Sequence, residues 1–321
     1  MPVYQTFIVE IFACVDVLVG FLVNIFIMGI YLRYWWASKK LKPYDKILAN
    51  LGLSRVLLLF CLFLRIIIRI FNWTAYPSPT QRCIFRTVQL LFEYASLWFA
   101  MWLCLLYFVK ISILKNNFLL WVKLRIPKLI PPIIIITYVA SFIFAFIFAF
   151  FIKETADVMD NVNLPANESV YEELNYMIPS YFFGHVLPFI FVTISTSLLI
   201  HTIALHIIHI RSNITGFTRP RFDAHLSVIR SAVLLELMTI CNLLATFIFR
   251  FDFYGHFDTN VSFLFLVSYP LLHSLVIIAG NAKLRGVLLR VWGCVKAKIA
   301  TERCPKKQKR ETKRETVWQQ K

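Results

Sequence analysis

The chain has 321 residues, 59% of them hydrophobic, and carries a formal charge of +17. A soluble domain fills its core at about 45–50% apolar residues. The excess here comes in blocks of about 20 residues, the length that crosses about 30 Å of hydrocarbon. These blocks are too long and too numerous for a signal peptide. Strong positive charge in a soluble protein would suggest nucleic acid, but here the basic residues gather beside apolar spans, where orientation in a membrane accounts for them.

Taken in chain order, the apolar blocks predict helical spans over about 9–32, 47–71, 84–109, 128–152, 181–208, 226–250 and 261–281. The expected fold is an all-α membrane protein, a seven-transmembrane bundle over 1–281 with an amphipathic helix and basic tail over 282–321. No soluble domain is expected, and the absence of an internal repeat argues against transporters built from duplicated halves. One set of span ends carries Arg33, Lys39, Lys40, Lys42 and Lys46, then Lys110, Lys115, Lys123, Arg125 and Lys128, then Arg211, Arg219 and Arg221. The opposite ends hold Glu154, Asp157, Asp160, Glu168, Glu172 and Glu173 in one loop. The positive-inside rule then puts the N-terminus outside and the C-terminus in the cytoplasm of a multi-pass plasma-membrane protein. Asn167-Glu-Ser in the acidic loop is the favoured glycosylation signal; Asn72-Trp-Thr and Asn260-Val-Ser lie near other outer ends.

Ionisable groups inside a span are costly, about 2.5 kcal/mol or more at a helix centre, so each calls for a reason. Asp16 and Asn24 in the first span are expected to face Arg55 in the second, either as a structural tie or as a network that rearranges on activation. Glu93 lies about 15 Å into the third span at 1.5 Å per residue, with Gln89 one turn above and Tyr94 beside it. That face is expected to line a cavity or to bond a neighbouring helix, and Glu236 in span six presents the same choice. Seven cysteines form no metal-ligand spacing, and His201 and His206 are too far apart for the i, i+4 pair that chelates metal. No catalytic constellation, metal site or cofactor motif is present, so an enzyme is not expected.

Several motifs narrow the seven-helix class. Span two carries Arg55 in place of an acid, span three ends Leu106-Tyr107-Phe108-Val109-Lys110-Ile111, and span seven ends in His273-Ser274. These departures disfavour the rhodopsin-like class. The chain instead resembles the vertebrate bitter taste receptors, the type 2 taste receptor family. Gly20-Phe-Leu-Val-Asn24-Ile-Phe-Ile27 is similar to their first-helix motif, and Asp45 through Ser54-Arg55 to their second, with Gly52 where Ala is usual. Trp98 with Leu106–Ile111, Phe118 through Ile126, Pro188 with Leu198-Leu199-Ile200 and His206, His225 with Arg230, and His273-Ser274 with Asn281 and Lys283-Leu284-Arg285 continue the match at colinear spacing.

The resemblance implies a receptor for small bitter agonists, coupled to a gustducin-like heterotrimeric G protein and glycosylated at Asn167. It implies ligand-binding positions at Gln89, Glu93, Tyr94 and Phe263, where the residues depart from the usual family types. The acid at Glu93 is therefore expected to select cationic agonists. Asp16, Asn24, Arg55, His273 and Ser274 form the expected activation network; Tyr107, Lys110, Lys123, Arg125, His206 and His225 are the expected G-protein contacts. Membrane lipids are further partners of the basic tail, and homo- or hetero-oligomers are left open. A vomeronasal type 1 receptor is the alternative of the same topology; a transporter or channel is the alternative of another class.

Overall fold

The computed structural model describes residues 3–71, 79–111, 117–161, 177–213, 219–251, 259–294 and 296. Among the described residues the ordered elements are all helical. The helices are α1 (Val3–Ser38), α2 (Pro43–Ile70), α3 (Pro79–Ile111), α4 (Asn117–Asn161), α5 (Leu187–Asn213), α6 (Arg219–Phe251) and α7 (Thr259–Gly280), with a short helix α8 over 282–294. Seven of them are long and apolar enough to cross a membrane. In hydrocarbon every backbone polar group must be satisfied within the chain, which a helix does by itself. The sequence expectation thus holds for the number and order of spans.

The chain divides into two compact units, Met1–Val276 and Ile277–Lys321. Within the first, α3 packs against α2, α4 and α5, while α1 packs against α2 and α5 against α6. The core where α1, α2 and α7 meet contains Ala13, Val17, Leu58, Leu59, Leu62, Ile66, Phe263 and Val267. The outward faces stay apolar: Phe142, Phe146 and Phe150 on α4 are exposed and stack one turn apart. A lipid-facing surface has no water to avoid, so apolar residues on both faces of a helix are expected here.

Helix α4 departs from the expected boundaries by running through Pro127, Pro131 and Pro132, whereas the sequence reading begins that span at 128. Each proline removes one ladder bond, but the flanking apolar run is long enough for the remaining bonds to carry the helix. In the second unit, Asn281 caps α8. Its Oδ1 accepts from the backbone N–H groups of Lys283 at 3.0 Å and Leu284 at 3.4 Å, the two donors that an N-cap side chain serves.

Entry into α5 is a π-helical turn, Phe182–Val186, closed by the Leu187 N–H donating to the Phe182 carbonyl. Pro188 follows, with no N–H for the Gly184 carbonyl and a ring that presses on it; widening the turn relieves that contact. The turn lays Gly184 directly on the Tyr94 ring of α3. A Cβ at 184 would stand 2.1 Å from Tyr94 Cε1, whereas one at Gly52 would meet nothing closer than 3.7 Å.

Gly184→Ala should therefore lower the thermal stability of the detergent-purified protein by roughly 1–3 kcal/mol or more through overpacking. Gly52→Ala, which restores the residue usual at that point of the motif, should be neutral or raise stability by about 0.5–1 kcal/mol through helix propensity. Melting curves of the two variants beside the wild type check both signs.

Candidate ligand site and buried polar networks

Two of the polar clusters inside the bundle hold residues singled out in the sequence. The first is built around Arg55 of α2, whose side chain is fully buried. Its Nε donates to Ser96 Oγ of α3 at 3.2 Å and its Nη1 to Ser274 Oγ of α7 at 2.7 Å. Ser274 Oγ in turn donates to Asn24 Oδ1 of α1 at 2.8 Å, and Asn24 Nδ2 donates to the Gly20 carbonyl at 2.8 Å. The guanidinium carbon also lies 6.0 Å from the centre of the Tyr269 ring, within range of a cation–π contact. One arginine thus ties α1, α2, α3 and α7 through neutral hydroxyl and amide groups.

Asp16 stands apart from this cluster. It lies eight residues from Asn24, which at 1.5 Å per residue is about 12 Å along the helix, beyond the reach of the same guanidinium. Its side chain bonds Ser268 of α7 instead. His273 is buried beside the cluster, with its ring 5.3 Å from that of Tyr269. Of the five residues read as one network, the structure joins Asn24, Arg55 and Ser274 directly and adds Ser96, which sequence reasoning missed. A lone Ser in an apolar run gives no signal until its neighbour across the helix pair is known.

The second cluster is charged. Glu93 Oε1 of α3 accepts from Arg250 Nη2 of α6 at 3.1 Å and lies 3.3 Å from His185 Nε2 in the π-turn. All three side chains are at least nine-tenths buried. Tyr181 stacks on His185 with ring centres 5.0 Å apart and donates its hydroxyl to the Leu243 carbonyl at 2.6 Å. Tyr94 and Ser180 share a hydrogen bond of 2.6 Å, and the Arg250 guanidinium lies 5.6 Å from the Phe148 ring centre. Glu93 thus meets a cation from within the chain, Arg250 of α6. Arg250 and His185 went unread because Arg250, at the end of a span, passes for a residue marking the membrane surface.

Glu236 is not part of this cluster; its carboxylate accepts from the Thr193 hydroxyl across α5 and α6. Gln89 is buried on the same helix as Glu93, one turn away. Phe263 is buried in the α1–α2–α7 core, with its ring 5.9 Å from Phe249 and Arg65 above it at 5.9 Å. Between the two clusters lies a cavity of about 20 Å³, lined by Leu58, Glu93, Ser96, Leu97, Asn242, Leu266, Tyr269 and Pro270. That is room for about one water molecule. Glu93 and Ser96 stand on adjacent turns of α3, so this small space adjoins both the ion-pair cluster and the Arg55 cluster.

At the other end of the bundle, Tyr107 is half-buried, while Lys123 and Arg125 are exposed and Arg125 lies 4.4 Å from the centre of the Trp121 ring. Lys110, His206 and His225 fall in α3, α5 and α6, but their side chains, like all of Asn167, lie outside the described residues. No cluster of His, Cys, Asp and Glu with metal-binding geometry occurs among the described residues.

Seven membrane-length helices joined by buried polar ties make a seven-transmembrane bundle of the G-protein-coupled receptor type. The family model described as Taste receptor protein (TAS2R) matches residues 1–296, and the chain belongs to that family. It is 29% identical over 288 residues to taste receptor type 2 member 39 of Homo sapiens, covering 86% of this chain and 82% of that protein. To taste receptor type 2 member 4 of Pan paniscus it is 28% identical over 275 residues, covering 83% of this chain and 90% of that one. The protein is a bitter taste receptor, multi-pass in the plasma membrane.

Ser274→Ala would leave Arg55 Nη1 and Asn24 Oδ1 both buried without their shared partner. Each orphaned group costs about 1–3 kcal/mol, so the variant should melt well below wild type. Thr202→Ala removes only an exposed bond to the Leu198 carbonyl within one helix and should change stability by about 0.5 kcal/mol or less. Thermal melts of the two purified variants provide the comparison.

Proposed function

We propose that the protein binds small bitter compounds at the Glu93 cluster and signals through a gustducin-like heterotrimeric G protein. The observation that carries the site is the buried Glu93–Arg250–His185 group, which ties α3, the π-turn before α5, and α6 near the end of α6. Charged groups in a bundle interior mark functional positions because the bilayer makes them costly. Gln89, Glu93, Tyr94 and Phe263 are assigned to ligand binding.

This reading puts the N-terminus outside and the 282–321 segment in the cytoplasm, with Asn167 glycosylated and the basic tail against anionic lipid. Tyr107, Lys110, Lys123, Arg125, His206 and His225 then fall at the inner ends of α3, α4, α5 and α6, where they serve as G-protein contacts. Asp16, Asn24, Arg55, His273 and Ser274 are assigned to activation. An agonist that binds the active arrangement better shifts the population toward it by that difference alone. The cavity between Glu93 and Ser96 offers the route by which a change at the ion pair reaches the Arg55 ties.

In cells carrying a gustducin-like chimeric G protein, the receptor should give calcium responses to members of a broad bitter panel. Cells lacking the chimera should give none. Glu93→Ala, at matched surface expression, should raise the half-maximal concentration of agonists by about tenfold or more, as expected for a lost charged contact. Leu124→Ala, on an exposed face, should leave responses unchanged. A surface-expressed wild type silent to the whole panel would contradict the proposal.

A further inference from the structure

The Glu93–Arg250 ion pair sets the charge class of the ligand, and it favours neither simple cations nor simple anions. Glu93 Oε1 carries both protein contacts, to Arg250 Nη2 and to His185 Nε2. Arg250 uses Nη2 for that contact, and its Nε is buried without a hydrogen-bond partner. His185 Nδ1 is likewise buried without one. Arg250 therefore holds unused donor capacity while remaining bound to Glu93.

A lone ammonium ligand could fully engage Glu93 only by weakening its bond to Arg250, which would leave a buried guanidinium without its acid. A lone carboxylate could engage Arg250 Nε only beside the Glu93 carboxylate, with like charges close together. Both outcomes leave a charge poorly answered in a dry site, where such charges are expensive. A ligand bearing both groups on neighbouring atoms escapes both penalties. Its carboxylate takes the free edge of Arg250, its ammonium approaches Glu93, and the four charges alternate in sign. The spacing of ammonium and carboxylate in an α-amino acid, about 3 Å, is that of a charge-assisted hydrogen bond. It matches the 3.1 Å between Arg250 Nη2 and Glu93 Oε1.

The surroundings fix the rest of the ligand. Tyr94, Tyr181 and Phe148 present rings around the pair, and Arg86, whose guanidinium lies 5.9 Å from the Phe148 ring centre, adds positive charge on the same side. We propose that the receptor's preferred agonists are zwitterions of the α-amino-acid type that carry an aromatic or large apolar side chain. This inference rests on the ligand site assigned above.

The test is a matched series sharing one ring system: tryptophan as zwitterion, tryptamine as cation and indole-3-propionate as anion. In cells with the wild-type receptor and the chimeric G protein, tryptophan should be more potent than either single-charge analogue by at least about tenfold. Glu93→Gln and Arg250→Gln should each erase that preference. The exchange Glu93→Arg with Arg250→Glu should retain it, because the pair survives with its ends reversed. Equal potency across the series, or a lead for tryptamine or indole-3-propionate, overturns the inference. So does silence to tryptophan while other bitter compounds act, and in that case the proposed function stands. Silence to every compound at normal surface expression overturns both. The wild-type series alone decides, so a variant that fails to fold does not blunt the test.

Discussion

A charge placed in hydrocarbon must be answered from inside the protein, and that constraint organises this receptor. Arg55 is answered by the Ser96 and Ser274 hydroxyls of two other helices, the second of them bonded on to the Asn24 amide of a third, and Glu93 by the Arg250 guanidinium and the His185 imidazole. Apolar burial cannot select one arrangement of helices when the lipid is as apolar as the core. Directional polar contacts can, because each has a narrow range of good geometry. α3 belongs to both clusters and packs against more of the bundle than α1 does. A shift of α3 is thus felt at both.

The two clusters differ in kind, and the difference fits the roles proposed for them. The Arg55 ties run between neutral acceptors, so α1, α2, α3 and α7 are held by hydrogen bonds that can exchange partners without separating opposite charges. The Glu93 cluster is an ion pair, whose rupture leaves a buried charge and costs about 3–5 kcal/mol. Such a pair resists separation unless other charges replace it. The π-turn at Phe182–Val186 is the local device that brings His185 to Glu93, and Gly184 is the residue that allows it. π-turns are frequent at functional sites, and this one sits against the residue read as ligand-binding.

The fold was legible in the sequence because span length and apolar content report directly on bilayer thickness. Asn24, Arg55 and Ser274 were legible for the same reason: polar groups stand out in apolar runs. Their connectivity was less so. Asp16 resembled Asn24 by helical face, but the rise per residue separates them along the axis, and only the packing of α7 assigns Ser268 to one and Ser274 to the other. Arg250 was hidden by its position. A basic residue ending a span has an ordinary explanation, and nothing local says that its side chain turns inward. Ser96 and His185 were hidden too, since tertiary approach alone gives them partners. Asn281 carried a signal that only the structure explains, as the cap of the helix over 282–294.

Glu93 and Arg250 should act as one unit. A double-mutant cycle of Glu93→Gln and Arg250→Gln on the thermal stability of the purified receptor measures this directly. The ion pair predicts that each single change destabilises strongly and that the double variant is far less destabilised than their sum, with a coupling of about 1–3 kcal/mol. Additive effects of the two substitutions would contradict it.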